Sequence, residues 1–323
     1  FLTDESLRRV FDLYSFFCID RRKKTLMEIC RKVGLKKLPP AGTGDCCAPK
    51  LLNYAFVHSL FPVSMCELFY APLCKEESSK VFSPCDSRCA LLLPTMLGLE
   101  ILYRDDSIIV VNKQSGLLSV PGRGPEKQDC ISSRIRRLIP SCIEQPAVHR
   151  LDMETSGLMV FALTKEAHRA LRIQFEEATV FKQYVALLDG ALPAKGIKGE
   201  GQMKLYFRLD VENRPHQIWD SVYGKKAVTC WKILNVEDWT CPDSSKRVVT
   251  RVLFTPLTGR THQLRLASAD SHGFASPILG DTLYGNCPPS PNSAARLLLH
   301  SCRLEFNHPV SGERMQFENS PPF

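Results

Sequence analysis

The sequence predicts an α+β fold in two parts. A small, mainly helical, cysteine-rich region covers residues 1–98, and a larger domain with a mixed, largely antiparallel sheet and flanking helices covers residues 99–323. Three observations predict it. Residues 1–38 place apolar side chains at helical spacing: Leu7, Val10, Phe11 and Tyr14, then Leu26, Ile29, Cys30 and Val33. From Leu99 the pattern changes to short apolar runs bounded by polar turns, which is strand spacing. The 323 residues are 44% hydrophobic, enough for one large core or two ordinary ones.

The elements follow in order. Two amphipathic helices fill residues 1–38, with Gly34 as a stop, and Pro39 to Gly44 breaks the pattern before a third helix over Lys50 to Leu60. Residues 71–90, with Pro72, Glu76, Glu77, Ser78, Ser79, Pro84 and Ser87, are expected to be loop. Leu99 to Tyr103 and Ile108 to Asn112 form a hairpin around Arg104-Asp105-Asp106-Ser107. Asp129 caps a helix through Ile139 whose Arg134, Arg136 and Arg137 offer an edge to phosphates. Thr164 caps a helix to about Glu177 with Ala167, Ala170, Leu171 and Phe175 as its buried stripe. Phe181 to Leu188 is a strand whose alternation puts Lys182, Tyr184 and Ala186 on one face. Further strands are expected at Met203 to Asp210, Ala227 to Val236 and Val248 to Thr255, with a polar insert at Glu237 to Ser245. A short helix follows at Thr261 to Ala267, then strands at Cys302 to Phe306 and Glu313 to Phe317.

Composition narrows the partners. Net charge is +8, and the first forty residues carry ten Lys or Arg against five acids, a balance that favours a polyanion. The longest apolar runs fall far short of the roughly 20 residues that span a bilayer, so no membrane span is expected. Eight of the fourteen cysteines lie in the first ninety residues (Cys18, Cys30, Cys46, Cys47, Cys66, Cys74, Cys85, Cys89). Nothing at Phe1 to Val10 resembles a signal peptide, so reduced thiols in the cytoplasm are expected. Cys46, Cys47, Cys85 and Cys89, with His58 as a spare ligand, could hold a tetrahedral zinc, but adjacent cysteines seldom share an ion, and buried reduced thiols are the favoured reading.

The chemistry concentrates in three stretches. The first, His149-Arg150-Leu151-Asp152-Met153-Glu154-Thr155-Ser156-Gly157, holds a carboxylate at a strand end, although an Asp before such a turn also serves simply to bond its own backbone. The second is Phe181-Lys182-Gln183-Tyr184-Val185-Ala186, and the third Thr258-Gly259-Arg260-Thr261-His262-Gln263-Leu264-Arg265. With Ile108 to Pro121, Pro277 to Asp281, Tyr284-Gly285 and Leu298-Leu299-His300 in the same order, the set resembles the RluA-type RNA pseudouridine synthases over about residues 99–323. Two departures, Leu266-Ala267 after Arg265 and a longer Ser268 to Ser276 segment, touch substrate loops and not the central carboxylate.

The resemblance implies that Asp152 attacks or stabilises the substrate, that Tyr184 stacks on the uracil and handles a proton, and that Arg265 pairs with Asp152 and keeps it charged. Arg150 is placed to fill the space left by an extruded base, and Lys182, Arg260 and His262 are candidates for RNA contacts. The reaction is an isomerisation that needs no cofactor. The expected partner is a stem-loop of ribosomal or transfer RNA, and the expected state a monomer. Two rivals stand beside this reading: a non-catalytic RNA-binding or folding factor, and a metal or thiol module fused to an RNA binder.

Overall fold

The computed structural model describes residues 4–68, 81–82, 85, 88–242, 244–285 and 294–323. Contacts gather the chain into two compact units that interleave in sequence. One comprises residues 1–111, 120–147 and 161–165, the other residues 112–119, 148–160 and 166–323. The chain therefore passes between them several times instead of dividing once near residue 98.

The first unit begins with α1 (Asp4–Leu13), the small hairpin β1 (Ser15–Phe17) and β2 (Lys23–Thr25), α2 (Leu26–Lys32) and α3 (Cys47–Val57). Thr25 starts α2 through a reciprocal pair of bonds with Glu28, its hydroxyl accepting from the Glu28 N–H at 3.2 Å while Glu28 accepts the Thr25 N–H at 2.6 Å. The two expected helices are present, and a hairpin separates them. Strands β3 (Glu67–Leu68) and β4 (Val81–Phe82) pair antiparallel, so part of the stretch expected to be loop is strand. Cys74 and most of the remaining residues between 69 and 87 lie outside the described residues.

Next come α4 (Leu93–Met96), the antiparallel hairpin β5 (Ile101–Arg104) and β6 (Ile108–Lys113), and α5 (Ile131–Leu138). The Asp105 carboxylate closes the hairpin turn by accepting the N–H groups of Ser107 and Ile108 at 2.7 and 2.8 Å. Helix α5 corrects an expectation. Its cap is Cys130, not Asp129, and Asp129 instead accepts two bonds from Arg134 at 2.9 and 2.6 Å. Arg134 and Arg137 are buried, and Arg136 is the exposed arginine of the three, so this face is no ladder of phosphate contacts.

The cysteine-rich region does not assemble a zinc site. The Cys46 thiol is hydrogen-bonded to Cys89 with Cys85 beside it, and these neighbours and burial push it up to about 12. Cys47 is exposed and the His58 ring lies 4.1 Å from that of Tyr54. Among the described residues no group of three or more His, Cys, Asp or Glu side chains is placed to hold a metal ion. No helix among them is long and apolar enough to cross a membrane.

The second unit is built on a twisted sheet. Strand β7 (Ser156–Ala162) starts within it and is followed by α6 (Lys165–Glu176), β8 (Phe181–Asp189), β9 (Glu200–Leu209), β10 (Gln217–Trp219), β11 (Lys225–Thr240), β12 (Lys246–Pro256), α7 (Gln263–Ala269), β13 (Leu299–Asn307) and β14 (Arg314–Glu318). The spatial order runs β10, β9, β11, β12, β8, β13, with β14 on β13, and every one of these pairs is antiparallel. The first residues of β7 join β13 in parallel, His300 opposite Ser156 and Ser301 opposite Gly157. The mixed sheet is thus mostly antiparallel.

The polar stretch Glu237 to Ser245 is not a separate insert. Strand β11 continues through it, paired with β12 as far as Thr240 opposite Lys246. The core on one face of the sheet is formed by Leu187, Leu188, Val252, Phe254, Phe274, Leu297 and Leu298, each nearly inaccessible to solvent. Burial of this kind contributes about 25 cal/mol per Å2 of apolar surface, and it fixes the strands that carry the site.

Candidate active site

The loop His149 to Thr155 is held from both ends. The His149 ring is buried against Phe175, centroids 4.6 Å apart, and its Nε2 accepts the Val160 N–H at 3.1 Å. Burial drives its pKa down to about 3, with Lys182 adding a smaller push, so the ring is a neutral acceptor that ties the loop to β7. At the other end the Thr155 N–H closes a turn on the Asp152 carbonyl at 3.1 Å. The turn is therefore made by the main chain, and the Asp152 carboxylate is left for the cavity.

Gly157 lets β7 leave that turn. Its φ is +115°, and a Cβ there would sit 2.3 Å from the Ser301 carbonyl oxygen, so only glycine allows β7 and β13 to meet beside the loop.

Asp152 opens into a cavity of about 570 Å3, within the range of small-ligand sites. Arg150, Lys182, Tyr184, Arg260, His262 and Arg265 line the same cavity, so all seven residues singled out from the sequence converge on it. Tyr184 lies in β8 opposite Phe254 and Ser301. Burial raises its pKa, partly offset by a hydrogen bond with Ser301 and reinforced by Asp152, so the phenol stays protonated. Lys182, on the same face, sits over the Phe175 ring at 5.7 Å, and burial lowers its pKa.

The loop before α7 is fixed by Gln263. Its amide oxygen accepts from the Thr258 hydroxyl at 2.8 Å and the Arg260 N–H at 2.9 Å, while its amide nitrogen donates to the Val228 carbonyl at 3.0 Å and the Thr229 hydroxyl at 2.9 Å. His262 follows in the left-handed conformation, φ 54°, which turns its ring toward Asp152.

Among the described residues the Asp152 carboxylate makes one ion-pair contact, to His262 Nε2 at 3.9 Å. The Tyr284 hydroxyl accepts the Gln217 N–H at 2.8 Å and lies 2.8 Å from His262 Nδ1. Its own proton then goes to Nδ1, which leaves the ring proton on Nε2, facing Asp152. Burial lowers the His262 pKa, and Asp152 pulls the other way.

Arg265 departs from expectation. Its guanidinium pairs bidentately with Asp281, Nε to Oδ2 at 2.8 Å and Nη2 to Oδ1 at 2.5 Å, and not with Asp152. Asp281 also accepts the N–H groups of Leu283 and Tyr284 at 2.9 and 3.0 Å. Burial works against the Arg265 charge, and Asp281 more than offsets it. The physical reason is burial: Arg265 is 3% exposed and needs a carboxylate in contact, whereas the Asp152 side chain keeps 20% of its surface in solvent and part of its hydration. Arg265 still bounds the cavity and its field reaches Asp152.

Asp281 and Tyr284 belong to quoted motifs but carried no assigned role in the sequence. A buried arginine's need for a carboxylate was the signal that could have found Asp281.

The family model described as RNA pseudouridylate synthase matches residues 107–270. The dual-specificity RNA pseudouridine synthase RluA of Haemophilus influenzae is 43% identical over 225 residues, which is 70% of this chain and 94% of the relative. Its Escherichia coli counterpart is 43% identical over 226 residues, again 70% and 94%. Among solved structures, human RNA pseudouridylate synthase domain containing 1 matches with a TM-score of 0.55 at 28% identity, covering 70% of this chain and 84% of that one. A carboxylate, a buried phenol and a buried arginine converge on one cavity, inside a match of this extent. The chain belongs to the RluA-type family of RNA pseudouridine synthases.

Proposed function

We infer that this RNA pseudouridine synthase acts on specific uridines in stem-loops of ribosomal or transfer RNA, with Asp152 as the reacting carboxylate. The observation that carries the reading is the Asp152 side chain, presented by a main-chain turn to a cavity that Tyr184, His262 and Arg265 share. Residues 99–323 act as the catalytic domain and residues 1–98 as an accessory region. The basic excess, the RNA substrate and the likeness to bacterial RluA proteins support a cytoplasmic monomer.

The reaction breaks the bond from ribose C1′ to uracil N1, turns the detached base in place, and joins C1′ to C5. The proton on C5 leaves and N1 gains one, so nothing is oxidised or reduced. A carboxylate can attack or stabilise the separated fragment, and the Tyr184 ring offers a flat face against which the base turns. The phenol, held protonated by burial, is placed to relay the C5 proton. The target must leave its stack at a cost of a few kcal/mol, and exposed Arg150 beside Asp152 fills the vacated position. Lys182 and Arg260 then meet phosphates, and His262 Nε2–H orients the Asp152 carboxylate.

The test uses ribosomal and transfer RNA transcribed with 5-tritiated uridine, because joining C5 to the sugar expels the label. The Asp152→Asn protein is expected to release no tritium while binding the RNA as the parent does. Release at the parent rate would sink the reading in favour of a bystander carboxylate.

A further inference from the structure

We propose that Lys113, together with Ser115 and Ser119, is a positioning device for Asp152, gripping the main chain on both sides of it. The proposal rests on Asp152 being the reacting carboxylate. Lys113 is wholly buried, and its Nζ donates to three carbonyls: Gln114 at 2.9 Å, Leu117 at 2.7 Å and Met153 at 2.8 Å. The Gly116 N–H reaches the same Met153 carbonyl at 2.9 Å, and the Ser115 hydroxyl donates to the Glu154 carbonyl at 2.6 Å. On the other flank Ser119 Oγ donates to the Leu151 carbonyl at 2.7 Å and accepts the Leu151 N–H at 3.1 Å. Peptide groups at 151, 153 and 154 are thus all held from residues 113–119.

An ammonium carries three protons, and here three carbonyls take them. An unbranched apolar side chain could fill the same space without the cost of burying a charge. That the chain keeps a lysine here argues that the three bonds have work beyond packing. Burial pushes its pKa down to about 7, Glu154 and Asp152 draw it up, and Arg296 pushes it down. Lys113 lines a hollow separate from the Asp152 cavity, so it acts on the reaction through the loop and not by touching the base.

The experiment measures tritium release and RNA affinity, on the same labelled ribosomal and transfer RNA, for Lys113→Met, Ser119→Ala and Asp152→Asn in the full chain. Lys113→Met is expected to lower kcat on the order of a hundredfold, the penalty for a misplacement of about 1 Å, with the RNA dissociation constant unchanged. Ser119→Ala, which removes both bonds to Leu151, lowers kcat in the same way by about tenfold. If Asp152→Asn is dead while Lys113→Met binds RNA and keeps the parent kcat, the positioning role is overturned and the reading of Asp152 stands. If Lys113→Met fails to fold, Ser119→Ala decides: a parent kcat overturns the proposal and a selective loss of kcat supports it. Activity surviving in Asp152→Asn would instead overturn the reading beneath it.

Discussion

At the scale of single residues, the site turns on which carboxylate each cation takes. Asp152, Tyr184 and the motif cations were legible because the motifs that carry them also lie together on one cavity. The partner of Arg265 was not legible, because it is set by the turn at Gly280. That residue's φ is +74°, and a Cβ there would lie 1.9 Å from the Arg296 carbonyl oxygen. This close approach delivers Asp281 to Arg265 from 16 residues away. Asp281→Asn keeps the shape but removes the charge that Arg265 answers, and a buried cation left without its carboxylate costs about 3–5 kcal/mol. Urea unfolding of this variant is expected to show a loss of that size. An unchanged unfolding free energy would mean that Arg265 finds another partner.

At the scale of elements, strands and helices with a clear apolar period were legible from the sequence, and those shaped by polar pairing were not. Helices α3 and α6 and strand β8 fall within a few residues of expectation. The outer part of the β11 and β12 hairpin was missed because Glu237, Asp238, Lys246 and Arg247 alternate with little apolar surface, yet their backbones pair in register. Helix α5 was misjudged for the opposite reason, since Asp129 draws Arg134 and Arg137 inward where charge counts alone put them outside. The junction of β7 with β13 is where element and site depend on each other. Gly157→Ala demands both a left-handed backbone and a Cβ inside contact distance of Ser301, so β7 must shift and carry the Asp152 turn with it. The expected outcome is a loss of about 3 kcal/mol or more in unfolding free energy and of tritium release. Parent stability in this variant would show that the two strands separate there without cost.

At the scale of the whole molecule, the +8 charge suits a polyanionic substrate, while the response to pH is set by groups the motifs do not advertise. His149, at about 3, and His300, at about 4, both owe their low values first to burial. His300 is 1% exposed, with Nδ1 2.8 Å from the Ser156 hydroxyl and Nε2 3.0 Å from Asn319 Oδ1, so it is a neutral bridge in β13. In the unfolded chain both rings titrate near 6.5. Between that pH and about 4 the unfolded state binds more protons than the native one, so stability falls as the solution is acidified. Each ring contributes at most about 1.4 kcal/mol per pH unit, and the two together reach about 5 kcal/mol over two units. Carboxylates whose pKa is lowered in the native state, Asp220 at about 2 among them, extend the loss at still lower pH. Urea unfolding at pH 7.5 and 5 should therefore show a marked drop. His149→Gln retains an acceptor for the Val160 N–H without a titrating ring, so it should reduce the slope of stability against pH by about half. A slope unchanged by this substitution would mean that His149 is protonated in the folded protein, and the account of how β7 holds the Asp152 loop would need another acceptor.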